Sequence, residues 1–405
     1  MNISPQITMV SKYFYPEPCS TGQLLMELGL ELQRRGCKVN VITGQASLVG
    51  HKKLPSRGNH EGIEIKRVWC TSLNNNKIQG KAINRVTFTT LVFLHLLLKK
   101  NPPLFVTSDP PFLCWIGMVL KKLRNRKFIY LLYDVHPDAS VKLGYLKSRS
   151  LVRKIWDQIN KLVYKEADFI IVPGDCVKKT IERQFGNISH KMIVIHNWAD
   201  GSFIKPINKN DNWFCKKYGL NDKFVVMYSG NIGRYHDLET VILVAEKLKH
   251  LEDIKFVFIG EGDKKAKIMQ MAQDLRLKNI LFLPFQPRKY LPYSLTCGDV
   301  SIVTLEKGLE GLSVPCKIYT ALAAGQAVWG LIGNGSEVAE IIKKYKCGFR
   351  IDQGDVNSAV RNLVKLYSDK ELLATTKKNA RKCFEKNFDK SLAIEKYLEI
   401  IKKVQ

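Results

Sequence analysis

Phe224-Val225-Val226-Met227-Tyr228-Ser229-Gly230-Asn231-Ile232-Gly233-Arg234 runs from an unbroken apolar segment into a glycine-rich turn. The residues that follow place Leu238, Val241, Ile242, Ala245 and Leu248 on one face of a helix, so the stretch reads as strand, turn, helix. Glycine lets backbone amides approach an anion, and a following helix aims its unpaired N–H groups at the same place. About eighty residues on, Glu310-Gly311-Leu312-Ser313-Val314-Pro315-Cys316-Lys317 opens a second, small-residue helix with Ala321, Ala323, Ala324 and Gly325. Lys317 at the start of that helix can meet a phosphate as a point charge. Two anion sites on one α/β domain point to a diphosphate ligand.

Outward from this stretch the same alternation recurs. Strands are expected at Lys255 to Ile259, Ile280 to Leu283 and Val300 to Val303, with helices between them. Upstream, Ile7 to Ser11, Val39 to Thr43, Phe105 to Thr107, Phe128 to Tyr133, Phe169 to Pro173 and Met192 to Ile195 alternate with amphipathic segments. Strands alternating with helices make doubly wound parallel sheets. Trp198 to Pro206 reads as a linker. The expectation is an α/β protein of two Rossmann-like domains, residues 1–200 and 201–388, facing across a cleft at the carboxyl ends of their strands. A helix in residues 389–405 is placed to pack back on the first domain. A chain of 405 residues is long enough for two cores.

The chain carries 64 Lys plus Arg against 37 Asp plus Glu, a formal charge of +27. Such an excess attracts nucleic acid, lipid headgroups or phosphorylated substrates without choosing among them, and it is also what a lysine-rich genomic bias produces. The basic residues spread over both domains and accompany no nucleic-acid-binding module. Ten cysteines with no CxxC pair read as reduced, mostly buried thiols. The start of the chain lacks a basic segment followed by an apolar core, and the greasiest run, Leu91 to Leu98, is too short to span a bilayer. A cytoplasmic protein is expected, with no metal and no cofactor.

Taken together, the chain resembles the retaining, GT-B-fold glycosyltransferases of family 4, especially those that build bacterial surface polysaccharides, such as fucosamine-type transferases. The likeness covers nearly the whole chain. It rests on YFYPEPCSTGQLLMELGLELQRRGCKVNVITG from Tyr13, YDVHPD from Tyr133, YSGNIGRYHDLETVI from Tyr228, FVFIGEGDKK from Phe256 with NILFLPF from Asn279, and GLEGLSVPCKIYTALAAGQAV from Gly308. The resemblance implies transfer of a hexosyl or N-acetylaminosugar unit from a nucleotide-diphosphate sugar, a UDP-sugar being the first expectation. Retained configuration, no metal, and a role in O-antigen, other lipopolysaccharide or capsule biosynthesis are also implied. The chain contains no DxD sequence of the metal-dependent alternative fold. Two positions depart from the family pattern: Ile318 stands eight residues after Glu310, where a second glutamate is common, and Thr320 stands where a glutamate often precedes AxAAG.

The expected donor-diphosphate residues are Gly22, Gly230, Asn231, Arg234 and Lys317. Nucleotide or sugar contacts are expected from Gly260, Pro284, Phe285, Gly311, Leu312 and Ser313. Catalytic roles are expected for His136, which ends a strand between Asp134 and Asp138, and for Glu310, which could accept hydroxyl hydrogen bonds. His136 reads equally well as a satisfied structural histidine, Gly22 as part of a helix cap, Arg234 as a surface cation and Glu310 as a solvated loop residue. Gly260-Glu261-Gly262-Asp263 resembles a dinucleotide fingerprint but has Lys265 at its sixth position and lies outside the first βα unit, which speaks against a nicotinamide site. The expected partners are the nucleotide-sugar donor, a polyprenyl-diphosphate-linked acceptor and the anionic inner face of the cytoplasmic membrane, to which the protein would attach peripherally. A basic amphipathic helix near Arg149 to Glu166, together with Phe88, Leu91, Phe93 and Trp156, is the expected contact. The competing functions are a nucleotide-sugar 2-epimerase of the same fold and, from another class, a basic nucleic-acid-binding protein.

Overall fold

A computed structural model describes residues 4–17, 19–45, 53–73, 78–98, 102–186 and 188–405. The chain divides into two compact units, Met1–His196 with Ala393–Gln405, and Asn197–Leu392.

The first unit is built on an eight-stranded sheet. Its strands are β1 (Gln6–Val10), β2 (Lys38–Gly44), β3 (Arg57–His60), β4 (Ile63–Val68), β5 (Leu104–Thr107), β6 (Phe128–Leu131), β7 (Phe169–Val172) and β8 (Met192–Val194). The order is β3-β4-β2-β1-β5-β6-β7-β8, parallel except for β3, which runs antiparallel to β4. The β3/β4 hairpin is absent from the sequence expectations because Arg57-Gly58-Asn59-His60 is polar throughout and carries no alternation. The central strands are buried on both faces, which is why Leu104-Phe105-Val106 and Phe128-Ile129-Tyr130 read as continuous apolar runs. The helix Lys390–Lys403 closes this unit from Ala393 onward: Ile394, Tyr397 and Ile401 are buried, and the Tyr397 ring lies 5.9 Å from that of Phe105. The end of the chain is tied to β1, since the Gln6 N–H donates to Gln405 Oε1 at 2.8 Å.

The second unit holds a six-stranded, wholly parallel sheet of β9 (Phe224–Ser229), β10 (Ile254–Ile259), β11 (Ile280–Leu283), β12 (Val300–Thr304), β13 (Ala327–Leu331) and β14 (Gly348–Ile351), in the order β11-β10-β9-β12-β13-β14. Tyr228, Phe256, Phe258, Ile302 and Trp329 pack into one core cluster with the helices Glu239–Lys247 and Val356–Ser368. The two added strands, β13 and β14, follow short helices. Ala327-Val328-Trp329 continues an apolar run begun in the preceding helix, and periodicity alone does not separate the two. Gly325, at φ +67°, ends that helix and makes the separation. Cys215 and Cys297 are joined as a disulfide, with Cα atoms 5.6 Å apart, against the expectation of ten reduced thiols. Among the described residues no helix is long and apolar enough to cross a membrane.

Candidate active site

In each unit the sheet has a topological switch point, between β1 and β5 in the first and between β9 and β12 in the second. Ligands of open α/β sheets bind outside the carboxyl ends of the strands at this point.

In the second unit Gly230 follows β9, and its N–H donates to Ile259 O at 2.8 Å. At φ +134° it occupies backbone space that disfavours a side chain, and a Cβ there would lie 2.7 Å from Lys317 Cε. The absence of a side chain at Gly230 is therefore what lets Lys317, from the start of the helix Lys317–Ala323, cross above the turn. Its Nζ lies 3.3 Å from His236 Nε2 and 5.0 Å from the centroid of the Tyr228 ring. His236 Nδ1 is 2.9 Å from the carbonyl oxygen of Thr304, the last residue of β12. A carbonyl only accepts, so Nδ1 carries the proton and Nε2 presents a lone pair to the lysine. Burial, with the Lys317 ammonium second, holds the His236 imidazole well below its ordinary pKa and hence neutral. Burial likewise lowers Lys317 to about 8. The result is a half-buried cation held by an imidazole, an aromatic face and a glycine, with no carboxylate partner among the described residues. Such a group is suited to an anion.

The remaining expected donor residues are placed less uniformly. Asn231 is exposed, and its carbonyl accepts the Tyr228 hydroxyl at 2.5 Å. Arg234 is exposed and paired with Asp263 at 3.4 Å. Gly260 is explained by its neighbour: at φ +147°, a Cβ would come within 1.9 Å of the Gly230 carbonyl oxygen, so two glycines let the loops after β9 and β10 pack backbone to backbone. Phe285 is 54% exposed beside Gly260, just past β11, with Pro284 also exposed. The helix after the first turn begins only at Glu239, and two amides at its start find acceptors at hand. Thr240 N–H donates to Asp237 Oδ1 at 3.1 Å and Leu238 N–H to Glu239 Oε2 at 3.2 Å. Part of the amide cradle expected at that helix end is thus satisfied internally.

The loop before Lys317 is also largely self-satisfied. Gly311 has φ +73°, Leu312 is buried, and the N–H groups of Leu312 and Ser313 both donate to Leu309 O, at 3.0 and 3.3 Å. Glu310 turns inward: Oε2 accepts from Gly308 N–H at 2.7 Å, and Oε1 accepts from Gly333 N–H and Gln353 Nε2, both at 3.1 Å. Its carboxylate therefore braces the loop that carries Lys317. His236 as the partner of Lys317 is a contact that sequence spacing does not reveal, because the two lie 81 residues apart.

In the first unit Gly22 is buried in the opening turn of the helix Ser20–Arg34, where its N–H donates to Cys19 Sγ at 3.4 Å and a Cβ would meet Phe14 Cα at 3.5 Å. His136 is half-buried past the end of β6. Its Nδ1 is 2.9 Å from Ser140 Oγ, its carbonyl accepts from Asn160 Nδ2 at 2.7 Å, and its ring stacks over Trp156 with centroids 6.1 Å apart. Burial, then the nearby Arg85 charge, lowers its pKa to about 4, so it is neutral at pH 7. Among the described residues no group of His, Cys, Asp and Glu is arranged to hold a metal ion.

Comparison with known proteins adds a second line of evidence. The pattern of the family described as Glycosyl transferases group 1 matches residues 212–383, and that described as Glycosyl transferase 4-like domain matches residues 21–198. The chain is similar to the probable glycosyltransferase WbjE of Pseudomonas aeruginosa, at 23% identity over 81% of this chain and 82% of that one. It is similar to the putative colanic acid biosynthesis glycosyl transferase WcaI of Escherichia coli, at 26% identity over 80% of each. A transferase of Campylobacter jejuni, named for adding N-acetylgalactosamine to a diphospho-undecaprenol-linked saccharide, shares 24% identity over 61% of this chain and 63% of its own. Among solved structures, Anabaena HepE in complex with UDP-glucose superposes with a TM-score of 0.74 at 14% identity, covering 98% of this chain and all of that one. WaaG, a glycosyltransferase involved in lipopolysaccharide biosynthesis, gives 0.75 at 14% identity over 98% and 99%. Likeness at this identity establishes a shared fold.

Proposed function

From the premise that the chain belongs to the group 1, family-4-like glycosyltransferases of GT-B fold, we propose that it moves a sugar from a UDP-sugar to a lipid-linked sugar acceptor, with retained configuration. The relatives WcaI, named for colanic acid, and the Campylobacter transferase, named for a diphospho-undecaprenol acceptor, support a place in the biosynthesis of a bacterial surface polysaccharide such as O-antigen or capsule. The observation that carries the donor assignment is Lys317 at the second switch point, a cation with no carboxylate partner among the described residues, aimed over Gly230 by His236.

In this reading Lys317 neutralises the charge that develops on the departing diphosphate, where a preorganised cation in a poorly hydrated site has its largest effect. Phe285, exposed beside Gly260, supplies a face on which the nucleotide base can stack. Glu310 acts by bracing the loop before Lys317. Neutral His136 offers a hydrogen bond to a sugar hydroxyl and no charge. Arg234 contributes at the rim, competing with its own Asp263.

A lipid-borne acceptor stays in the bilayer, so the first unit would dock on the anionic inner leaflet. Residues 1–200 hold 30 Lys plus Arg against 14 Asp plus Glu. The apolar contact differs from the sequence expectation: Phe88 and Trp156 are buried, and Leu91 and Phe93 are only partly exposed. The helix Leu151–Glu166 instead exposes Leu151, Val152, Ile155 and Leu162 beside the exposed Lys154, Lys161 and Lys165. Mass spectrometry of products from a panel of nucleotide sugars and polyprenyl-diphosphate acceptors tests the whole reading. A glycosylated lipid with released UDP supports it; an altered nucleotide sugar formed without acceptor favours the epimerase.

A further inference from the structure

The switch point of the first unit gathers charge that the donor reading does not use. Lys12 stands two residues beyond β1, Asp109 two beyond β5, and Arg85 reaches them from the helix Ile78–Leu97. Lys12 is only 4% exposed. Its backbone is pinned, the carbonyl accepting from Thr43 Oγ1 at 3.0 Å and from Gly44 N–H at 3.1 Å. Its ammonium lies 5.2 Å from the centroid of the Tyr13 ring and, among the described residues, has no carboxylate within ion-pair distance. Asp109 is paired instead with Arg85, at 3.2 Å, and that pair remains about one-third exposed. Cys19 is no substitute anion, because burial pushes its thiol up to about 11.

Buried charges persist when a counter-charge compensates their lost hydration. Here Lys12 and Arg85 face one carboxylate, with the Lys81 charge also nearby, at the place where open α/β sheets receive ligands. Burial lowers the Lys12 pKa, the Asp109 charge opposes that effect, and the Arg85 and Lys81 charges add to it, so positive charge is in excess around the ammonium.

We propose that Lys12 and Arg85 form a phosphate seat in the first unit, which holds the diphosphate of the lipid-linked acceptor. A lysine supplies a point charge and an arginine a planar fork, a pairing suited to phosphate oxygens. Asp109 holds the Arg85 fork in place. The acceptor's identity rests on the function proposed above, whereas the phosphate seat itself does not. A phosphate group could come from acceptor or donor, and the test separates the two.

Binding of inorganic pyrophosphate, farnesyl diphosphate and UDP is measured by calorimetry on the full chain and on Lys12→Met and Arg85→Gln. The pyrophosphate arm is repeated in a Lys317→Met background, so that the second unit does not mask the result. Lys12→Met is expected to weaken pyrophosphate and farnesyl diphosphate at least tenfold, leave UDP unchanged, and melt no lower than the parent, since a buried charge has gone. Loss confined to UDP would assign the seat to the donor and overturn the acceptor claim. Unchanged binding of all three in both variants would overturn the seat altogether. Because none of these measurements needs transfer, a protein without the proposed activity still tests the site. If Lys12→Met does not fold, Arg85→Gln carries the same reading.

Discussion

Replacing Lys317 by methionine removes one charge and keeps nearly the same volume, and the expected effect follows from its surroundings. The ammonium is enclosed by His236, Tyr228 and Gly230, and burial has lowered its pKa to about 8. The gap to the ordinary 10.5 is worth about 3 kcal/mol, which the folded protein bears at neutral pH to keep the group charged. A charge-assisted hydrogen bond to phosphate is worth about 1.5–3 kcal/mol, so UDP affinity should fall about 10- to 150-fold in Lys317→Met, with a further loss in turnover. The linkage has a definite sign. Between about 8 and 10.5 the unfolded chain holds this proton more firmly than the folded protein, so stability from Lys317 rises with pH there while anion affinity falls. A bound diphosphate restores the proton, so at pH 8.5 UDP binding should take up about three-quarters of a proton. Calorimetry in buffers of different ionisation enthalpy measures that uptake, which should vanish in the methionine variant. Equal UDP affinity in the two proteins, or uptake that survives the substitution, would refute the argument.

Arg234→Ala should weaken UDP binding by less than about tenfold, because its exposed charge is screened and shared with Asp263; a loss matching that of Lys317→Met would show that the rim closes on the ligand. His136→Ala should lower turnover more than donor affinity, and the wild-type rate should show no inflection from this group between pH 5 and 8, since burial holds its pKa near 4. The same lowered pKa means that stability from His136 is lost as pH falls from 6.5 towards 4, an effect read from acid titrations of wild type and variant. Vesicles containing anionic lipid should bind the protein and release it at high salt, and Ile155→Ser with Lys154→Gln and Lys161→Gln should abolish binding; equal partitioning onto neutral vesicles would assign the charge another purpose. Activity should survive a chelator, and a loss restored by magnesium or manganese would overturn a metal-free transfer.

Much of this molecule is local chemistry. The apolar stretches of β5, β6, β9 and β10 read as short strands buried on both faces, and their alternation with amphipathic segments pointed to parallel sheets. The place of Lys317 at a helix start was legible from the proline-containing turn before it and the small residues after it. Tertiary structure decided which groups meet. His236 and Lys317 lie 81 positions apart and become partners because β9 and β12 are neighbours at the switch point. Glu310 looked like a ligand for a hydroxyl until Gly333 and Gln353, from the far side of β13 and beyond β14, came within reach of its carboxylate. Gly260 resembled part of a nucleotide fingerprint, yet the Gly230 carbonyl beside it already accounts for the missing side chain. Lys12 drew no notice as one lysine among many, and only the closing of β1 against β5 left it buried, with the nearby carboxylate paired elsewhere. Hydrophobic periodicity is written along the chain, whereas the desolvation and pairing of charge depend on which strands become neighbours, which is a property of the folded sheet.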